Sequence, residues 1–210
     1  MFFEDVNNLR DENIRLQGEN RELREELSRA EIIRAENEIL REFNNMTEMF
    51  QEYETVPAYI IDKNVTNLSD VFVINAGRNQ GVYANMPVIS GEGLVGFIAS
   101  STDNTAKVAP IIDPSTAVSA RITASRETVM TRGLLGNNRE VRLSFIPVDV
   151  NLLIGDAIET SGLGGIYPKG IRIGTITEIR ETRNIIDRYA VVETAVDFSR
   201  LETVLVITNH

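Results

Sequence analysis

Ser161 and Lys169 are the residues best able to do chemistry in this sequence, because a lysine amine can take a serine proton and leave a nucleophile. Ser161 lies in a glycine-rich stretch, Thr160-Ser161-Gly162-Leu163-Gly164-Gly165, of the kind that could expose a nucleophile. The preferred reading is a structural corner, with Ser161 bonding nearby backbone as turn serines do. A Ser-His-Asp arrangement is out of reach, since the one histidine is His210, the last residue. The absence of cysteine removes thiol nucleophiles, zinc ribbons and disulfide frameworks together. Asp113, Asp149 and Asp156 could in principle form a carboxylate pair for glycoside hydrolysis, but they are scattered along the chain. Asp103-Asn104 is too sparse for a calcium loop. No P-loop, G-x-S-x-G or S-x-x-K motif occurs, and the glycine-rich stretch precedes a Tyr-Pro turn rather than a phosphate-binding helix. The expectation is a protein with no catalytic residues, no metal and no cofactor.

Charge narrows the partners. The 21 basic and 31 acidic side chains give a net charge of −10, which disfavours nucleic acid. Residues 1–54 hold 15 acids and 7 bases (net −8), whereas residues 55–210 hold 16 and 14 (net −2). The acidity therefore belongs to the N-terminal segment. No run of 18 apolar residues is present to span a bilayer, and the start lacks the pattern of a signal peptide.

The elements that would position any site divide at Pro57. Residues 1–54 contain no proline and one glycine, Gly18, and predict a long helix. Its seam follows heptads. Val6, Asn13, Asn20 and Leu27 recur every seven residues, interleaved with Phe2, Leu9, Leu16, Leu23 and Ala30. Asparagine at a seam position favours a parallel, in-register pair at a cost in stability. Flanking charges agree in part: Asp5 would face Arg10 of a second copy and Glu19 would face Arg24, while Glu26 against Glu31 is a mismatch. The expected homodimer interface is Val6, Leu9, Asn13, Leu16, Asn20, Leu23, Leu27 and Ala30. Beyond Ala30 the seam continues only through polar residues. A stripe on another phase (Ile32, Ala35, Ile39, Phe43, Met46, Phe50) is expected to pack partly on the following β body.

That body has two similar cores. Residues 71–77 lead into Gly81-Val82-Tyr83, and residues 156–162 lead into Gly165-Ile166-Tyr167. Each then reaches a glycine before apolar residues, at Gly96-Phe97-Ile98 and Gly174-Thr175-Ile176. Gly77, Gly81, Gly162, Gly165 and Gly170 are expected to include several corners with positive φ. Strands are predicted near 58–63, 71–75, 86–90, 93–99 and 106–112, then near 117–123, 128–135, 141–146, 156–160, 171–180, 189–196 and 203–207. The resulting architecture is mainly β with an N-terminal long α-helix: a coiled-coil helix (1–54) and two small six-stranded β-barrels (55–115 and 116–210). Strand 203–207 is a candidate to return and complete the first barrel.

Three phrases in the β body resemble the MreC family of rod shape-determining proteins. They are Gly93-Leu94-Val95-Gly96, Ile111-Ile112-Asp113 and the run from Gly155 through Gly170, GDAIETSGLGGIYPKG. The resemblance covers about residues 55–207, and the preceding heptads suit the family's layout. It implies a non-catalytic scaffold of the wall-elongation machinery, on the extracytoplasmic face of a bacterial cell membrane. It also implies a membrane helix upstream of residue 1, with MreB, MreD, RodA and a penicillin-binding transpeptidase as partners. The family's barrels are similar to those of chymotrypsin-like proteases. The alternative is therefore a divergent cell-wall hydrolase or Ser–Lys peptidase using Ser161 and Lys169.

Overall fold

The computed structural model describes residues 2–65, 70–134, 137–180 and 188–209; for residues 2–11, 64, 65, 70, 137 and 138 it describes the backbone alone. Phe2–Met49 is one α-helix, α1, unbroken because no proline interrupts it and Gly18 alone weakens it. The helix ends at Met49, before the sequence boundary at residue 54. The chain turns through residues 50–53, with Tyr53 N–H donating to the Phe50 carbonyl at 3.0 Å. Glu54 already pairs as a strand.

The strands are β1 (Glu54–Val65), β2 (Asp70–Ile74), β3 (Pro87–Ile89), β4 (Leu94–Ser101), β5 (Ala106–Pro110) and β6 (Ala117–Ile122). They continue as β7 (Thr128–Leu134), β8 (Asn137–Ser144), β9 (Ala157–Thr160), β10 (Arg172–Arg180), β11 (Tyr189–Thr194) and β12 (Thr203–Asn209). They close into two six-stranded antiparallel barrels, ordered β1-β12-β3-β4-β5-β2 and β10-β11-β8-β7-β6-β9. Closure leaves no long unpaired edge on either sheet. β12 lies between β1 and β3, pairing Val56 with Val206 and Val88 with Val206. The long β1 closes its barrel by pairing with β12 over its first half and with β2 over its second, around an irregularity between Ile60 and Asp62. Apolar alternation showed only the centre of this strand; its start at Glu54 is set by the ladder to β12.

The glycines explain how the strands come so close. A Cβ on Gly96 would sit 2.0 Å from the Ala109 carbonyl, and one on Gly174 would sit 2.0 Å from the Glu193 carbonyl. The two glycines paired by the sequence repeat thus serve the same purpose, letting β4 and β10 press against β5 and β11. At the corners, Gly81, Gly162, Gly165 and Gly170 have φ of 82°, 80°, 73° and 91°. Gly77 does not; its φ of −143° is ordinary, and it is glycine because a Cβ would meet the Thr102 carbonyl at 2.5 Å.

The chain forms two compact units, Met1–Glu42 and Phe43–His210. In the second unit one apolar cluster runs through both barrels and takes in Met46, which is 1% exposed. Met46 seats on Gly91, its Cγ 3.4 Å from where a Cβ would stand. Phe43 meets Tyr59 edge to face at 5.1 Å, and Phe50 packs on the same cluster. Of the second helical stripe, Phe43, Met46 and Phe50 thus pack on the β body, whereas Ile32 is exposed and Ile39 half-buried.

Candidate functional site

Two regions were singled out by sequence, the helix seam and the Ser161 corner. Along α1, Asn13, Leu16, Asn20, Leu23, Leu27 and Ala30 are all exposed; Leu23 is 64% and Leu27 60% open to solvent. Val6 and Leu9 belong to the same helix, but their side chains lie outside the described residues. A shallow furrow is lined by Asn13, Leu16, Gln17 and Asn20 among others. These four sit at i, i+3, i+4 and i+7, the spacing of the hole that receives a knob from a facing helix. The furrow runs along one helix and has no opposite wall, so it suits a second helix better than a small ligand.

The polar groups beside the seam are engaged within the helix. Gln17 Nε2 donates to Asn13 Oδ1 at 2.8 Å. Arg15 donates to both Glu12 and Glu19, and its hydrogen bond to Glu12 lowers that carboxyl's pKa. Such fully exposed pairs are screened by solvent and contribute little. They leave the leucines uncovered, and full burial of one leucine contributes about 1.5–3 kcal/mol. Apolar surface is therefore the dominant drive for anything that pairs with this face.

At the corner, the Ser161 hydroxyl lies 2.8 Å from Ser119 Oγ and 3.1 Å from the Ser119 carbonyl, and it accepts the Leu163 N–H at 3.1 Å. This is the backbone-bonding arrangement of a turn serine. Lys169 is exposed, and the contact its chain makes here is steric: a Cβ on Gly162 would stand 2.9 Å from Lys169 Cβ. Thr160 pins the same loop, its hydroxyl donating to the Pro168 carbonyl at 2.5 Å and accepting the Ile171 N–H at 2.9 Å. Tyr167, buried beneath the loop, has its phenol pKa pushed up by burial and stays neutral.

Of the candidate acids, Asp113, Asp156 and Asp103 are each engaged by neighbouring groups. Asp113 is buried and accepts from the Ser115 amide at 2.7 Å and from its hydroxyl. Asp156 accepts the Leu153 N–H at 2.9 Å, Asp149 is exposed, and Asp103 pairs with Arg78 at 3.3 Å. Among the described residues no three histidine, cysteine or acidic side chains are grouped to hold a metal. His210 lies outside those residues.

Sequence reasoning passed over the connection at residues 145–156. The strand predicted at 141–146 ends at Ser144, because Phe145 turns to φ 58° and leaves the ladder. Phe145, Val148, Leu153 and Ile154 are exposed there. The signal available was the run Leu152-Leu153-Ile154 beside Pro147, too apolar for a solvated loop and too irregular for a strand.

Comparison with known proteins agrees with this architecture. The family model "Rod shape-determining protein MreC, barrel core" matches residues 60–208. The cell shape-determining protein MreC of Listeria monocytogenes is 28% identical over 206 residues, covering 97% of this chain and 70% of that protein. The Escherichia coli MreC is 30% identical over 172 residues, covering 79% of this chain and 46% of that protein, so the chain spans under half of its length. Among solved structures, the Listeria MreC superposes with a TM-score of 0.68 at 27% identity, covering 91% of this chain and 96% of that one. A Helicobacter pylori MreC solved in complex with a penicillin-binding protein superposes with a TM-score of 0.57 at 18% identity, covering 74% and 99%.

Proposed function

The chain belongs to the MreC family, and from that premise we propose that it is a non-catalytic scaffold of bacterial wall elongation. It dimerises through the seam of α1 and holds membrane-bound wall-synthesis proteins against its barrels, on the extracytoplasmic face of the cell membrane. The observation that carries the reading is the exposed Leu16, Leu23 and Leu27 at three-and-four spacing around Asn13 and Asn20. A lone helix gains nothing from that pattern, whereas a parallel pair buries the leucines and lets each asparagine meet its own copy. Dimerisation would set two barrel bodies side by side and double the avidity for a partner.

The partner class comes from the Helicobacter relative, which was solved with a penicillin-binding protein. MreB, MreD and RodA follow from the family's role rather than from any feature of these residues. The Ser–Lys alternative is disfavoured by the commitment of the Ser161 hydroxyl to Ser119 and Leu163. Crosslinking from the barrel body in growing cells tests the proposal. Adducts with a penicillin-binding transpeptidase are expected, and cells carrying Ser161→Ala with Lys169→Ala should stay rod-shaped. Loss of rod shape in that double variant, with the protein still folded, would favour the peptidase instead.

A further inference from the structure

The turn between β3 and β4, Ser90-Gly91-Glu92-Gly93, is where the last part of α1 and both barrels meet. Its own bonds make it stiff. The Ser90 N–H donates to the Gly93 carbonyl at 2.8 Å, and the hydroxyl of the buried Ser90 accepts the Glu92 N–H at 3.3 Å. On one side Met46 rests on Gly91, where the lack of a side chain leaves room for its Cγ. On the other side the turn meets the second barrel. A Cβ on Gly93 would strike the Arg172 carbonyl at the start of β10 and stand 3.5 Å from Ala195 Cβ. The Glu92 carboxylate accepts the Asp197 N–H at 3.1 Å, and Asp197 in turn pairs with Arg139 of β8 at 3.7 Å.

The chain crosses between the barrels twice, at residues 111–116 and 195–202. Both crossings are fastened to the first barrel. The Ile111 N–H donates to the carbonyl of Val95, on the strand that leaves the turn, at 2.9 Å. Lys63 Nζ donates to the Phe198 and Ser199 carbonyls at 3.3 and 3.2 Å, and the Phe198 ring lies 6.2 Å from that of Phe72. Between these fastenings, the turn bears on the second barrel directly through residues 172, 195 and 197. A close-packed contact has no slack, so it transmits a displacement instead of absorbing it. We infer that the turn is a joint coupling the seating of Met46 to the orientation of the second barrel. Met46 in its seat holds Gly93 and Glu92 against Arg172, Ala195 and Asp197. Met46 withdrawn leaves the second barrel free to swing about the two crossings. The coupling is reciprocal: whatever seats the helix end favours the docked barrel, and whatever fixes the second barrel favours the seated helix end. This goes beyond the scaffold reading, because it makes the way the two barrels face a partner depend on the end of α1.

The chain has no cysteine, so spin labels can be placed on the full chain at Lys107→Cys in β5 and Thr128→Cys in β7, both exposed. Electron–electron resonance then reads the distance between the barrels, with labelled chain diluted into unlabelled chain so that only pairs within one copy count. The otherwise unaltered chain should give one narrow distance distribution. Met46→Ala should lose it, giving a broadened or shifted distribution while urea unfolding still shows a barrel transition. Should Met46→Ala fail to fold, Gly91→Leu, which crowds Met46 from the half-buried turn, is read in its place with the same expected loss. Glu92→Ala removes only the exposed side chain that holds Asp197 and should broaden the distribution less. Phe43→Ala is the control: it strips a helix contact with Tyr59 of β1 that bypasses the turn, and the distribution should stay narrow. A folded Met46→Ala or Gly91→Leu chain with the narrow distribution of the parent would overturn the joint. So would a Phe43→Ala chain as broad as Met46→Ala, since helix packing in general, and not the turn, would then set the barrel orientation.

Discussion

The two compact units treat apolar side chains in opposite ways. In Phe43–His210 they are buried in one cluster through both barrels, and the strands close without long edges. In Met1–Glu42, among the described residues, Ile14, Leu16, Leu23, Leu27, Ile32, Ile33 and Leu40 stand in solvent along a helix supported by backbone bonding, local side-chain hydrogen bonds and exposed ion pairs. A barrel that buries its own core can fold alone. A single helix of this kind is marginal in water and gains stability chiefly from what its apolar face meets. On the proposed pairing, the barrel unit has a stability of its own, while that of the helix unit depends on a second copy and so on concentration.

Substitutions that strike one unit and spare the other probe this difference. The largest effect is expected at Gly174, where a side chain would collide with the Glu193 carbonyl of the facing strand. Gly174→Ala should cost about 3 kcal/mol in urea unfolding of the barrels without altering helix pairing. Met46→Ala comes next. It lies in α1 by sequence but is sealed into the barrel cluster, so the loss, about 2 kcal/mol, should appear in the barrel transition. An effect confined to the helix signal would place the last turn of α1 with the wrong unit.

The seam should respond in the reverse sense. Replacing Asn13 and Asn20 by Leu should strengthen association and relax the choice of oligomer, with trimers or mixed orientations seen by light scattering, while the barrel midpoint stays fixed. The smallest effect is expected at Gly18, where a Cβ meets nothing within 4 Å. Gly18 falls on the outer face of the helix relative to the seam, so Gly18→Ala should add about 0.5–1 kcal/mol of helix stability. Circular dichroism melting of the helical signal would detect it.

The two units also differed in how readable they were. Composition and the period of seven were enough to place α1, because a helix reports its faces through local spacing. All twelve strands were visible as short β-branched runs between glycines, and the matched Gly96 and Gly174 marked the repeat. Strand ends were less legible. The start of β1 at Glu54 depends on pairing with β12, which follows some 150 residues later. The end of β8 depends on one left-handed residue, Phe145, whose conformation its type argues against. Arg188 was illegible for a related reason: an arginine that clamps two carbonyls about forty residues away carries no local pattern.

Sedimentation of two forms at micromolar concentration tests the central claim most directly: the full chain, and the chain with residues 1–31 removed. The account predicts that the full chain is a dimer, and that the shortened chain is a folded, soluble monomer with its barrel transition intact. A shortened chain that remained dimeric would show that the helix seam is not the main interface. A monomeric full chain would contradict the claim outright.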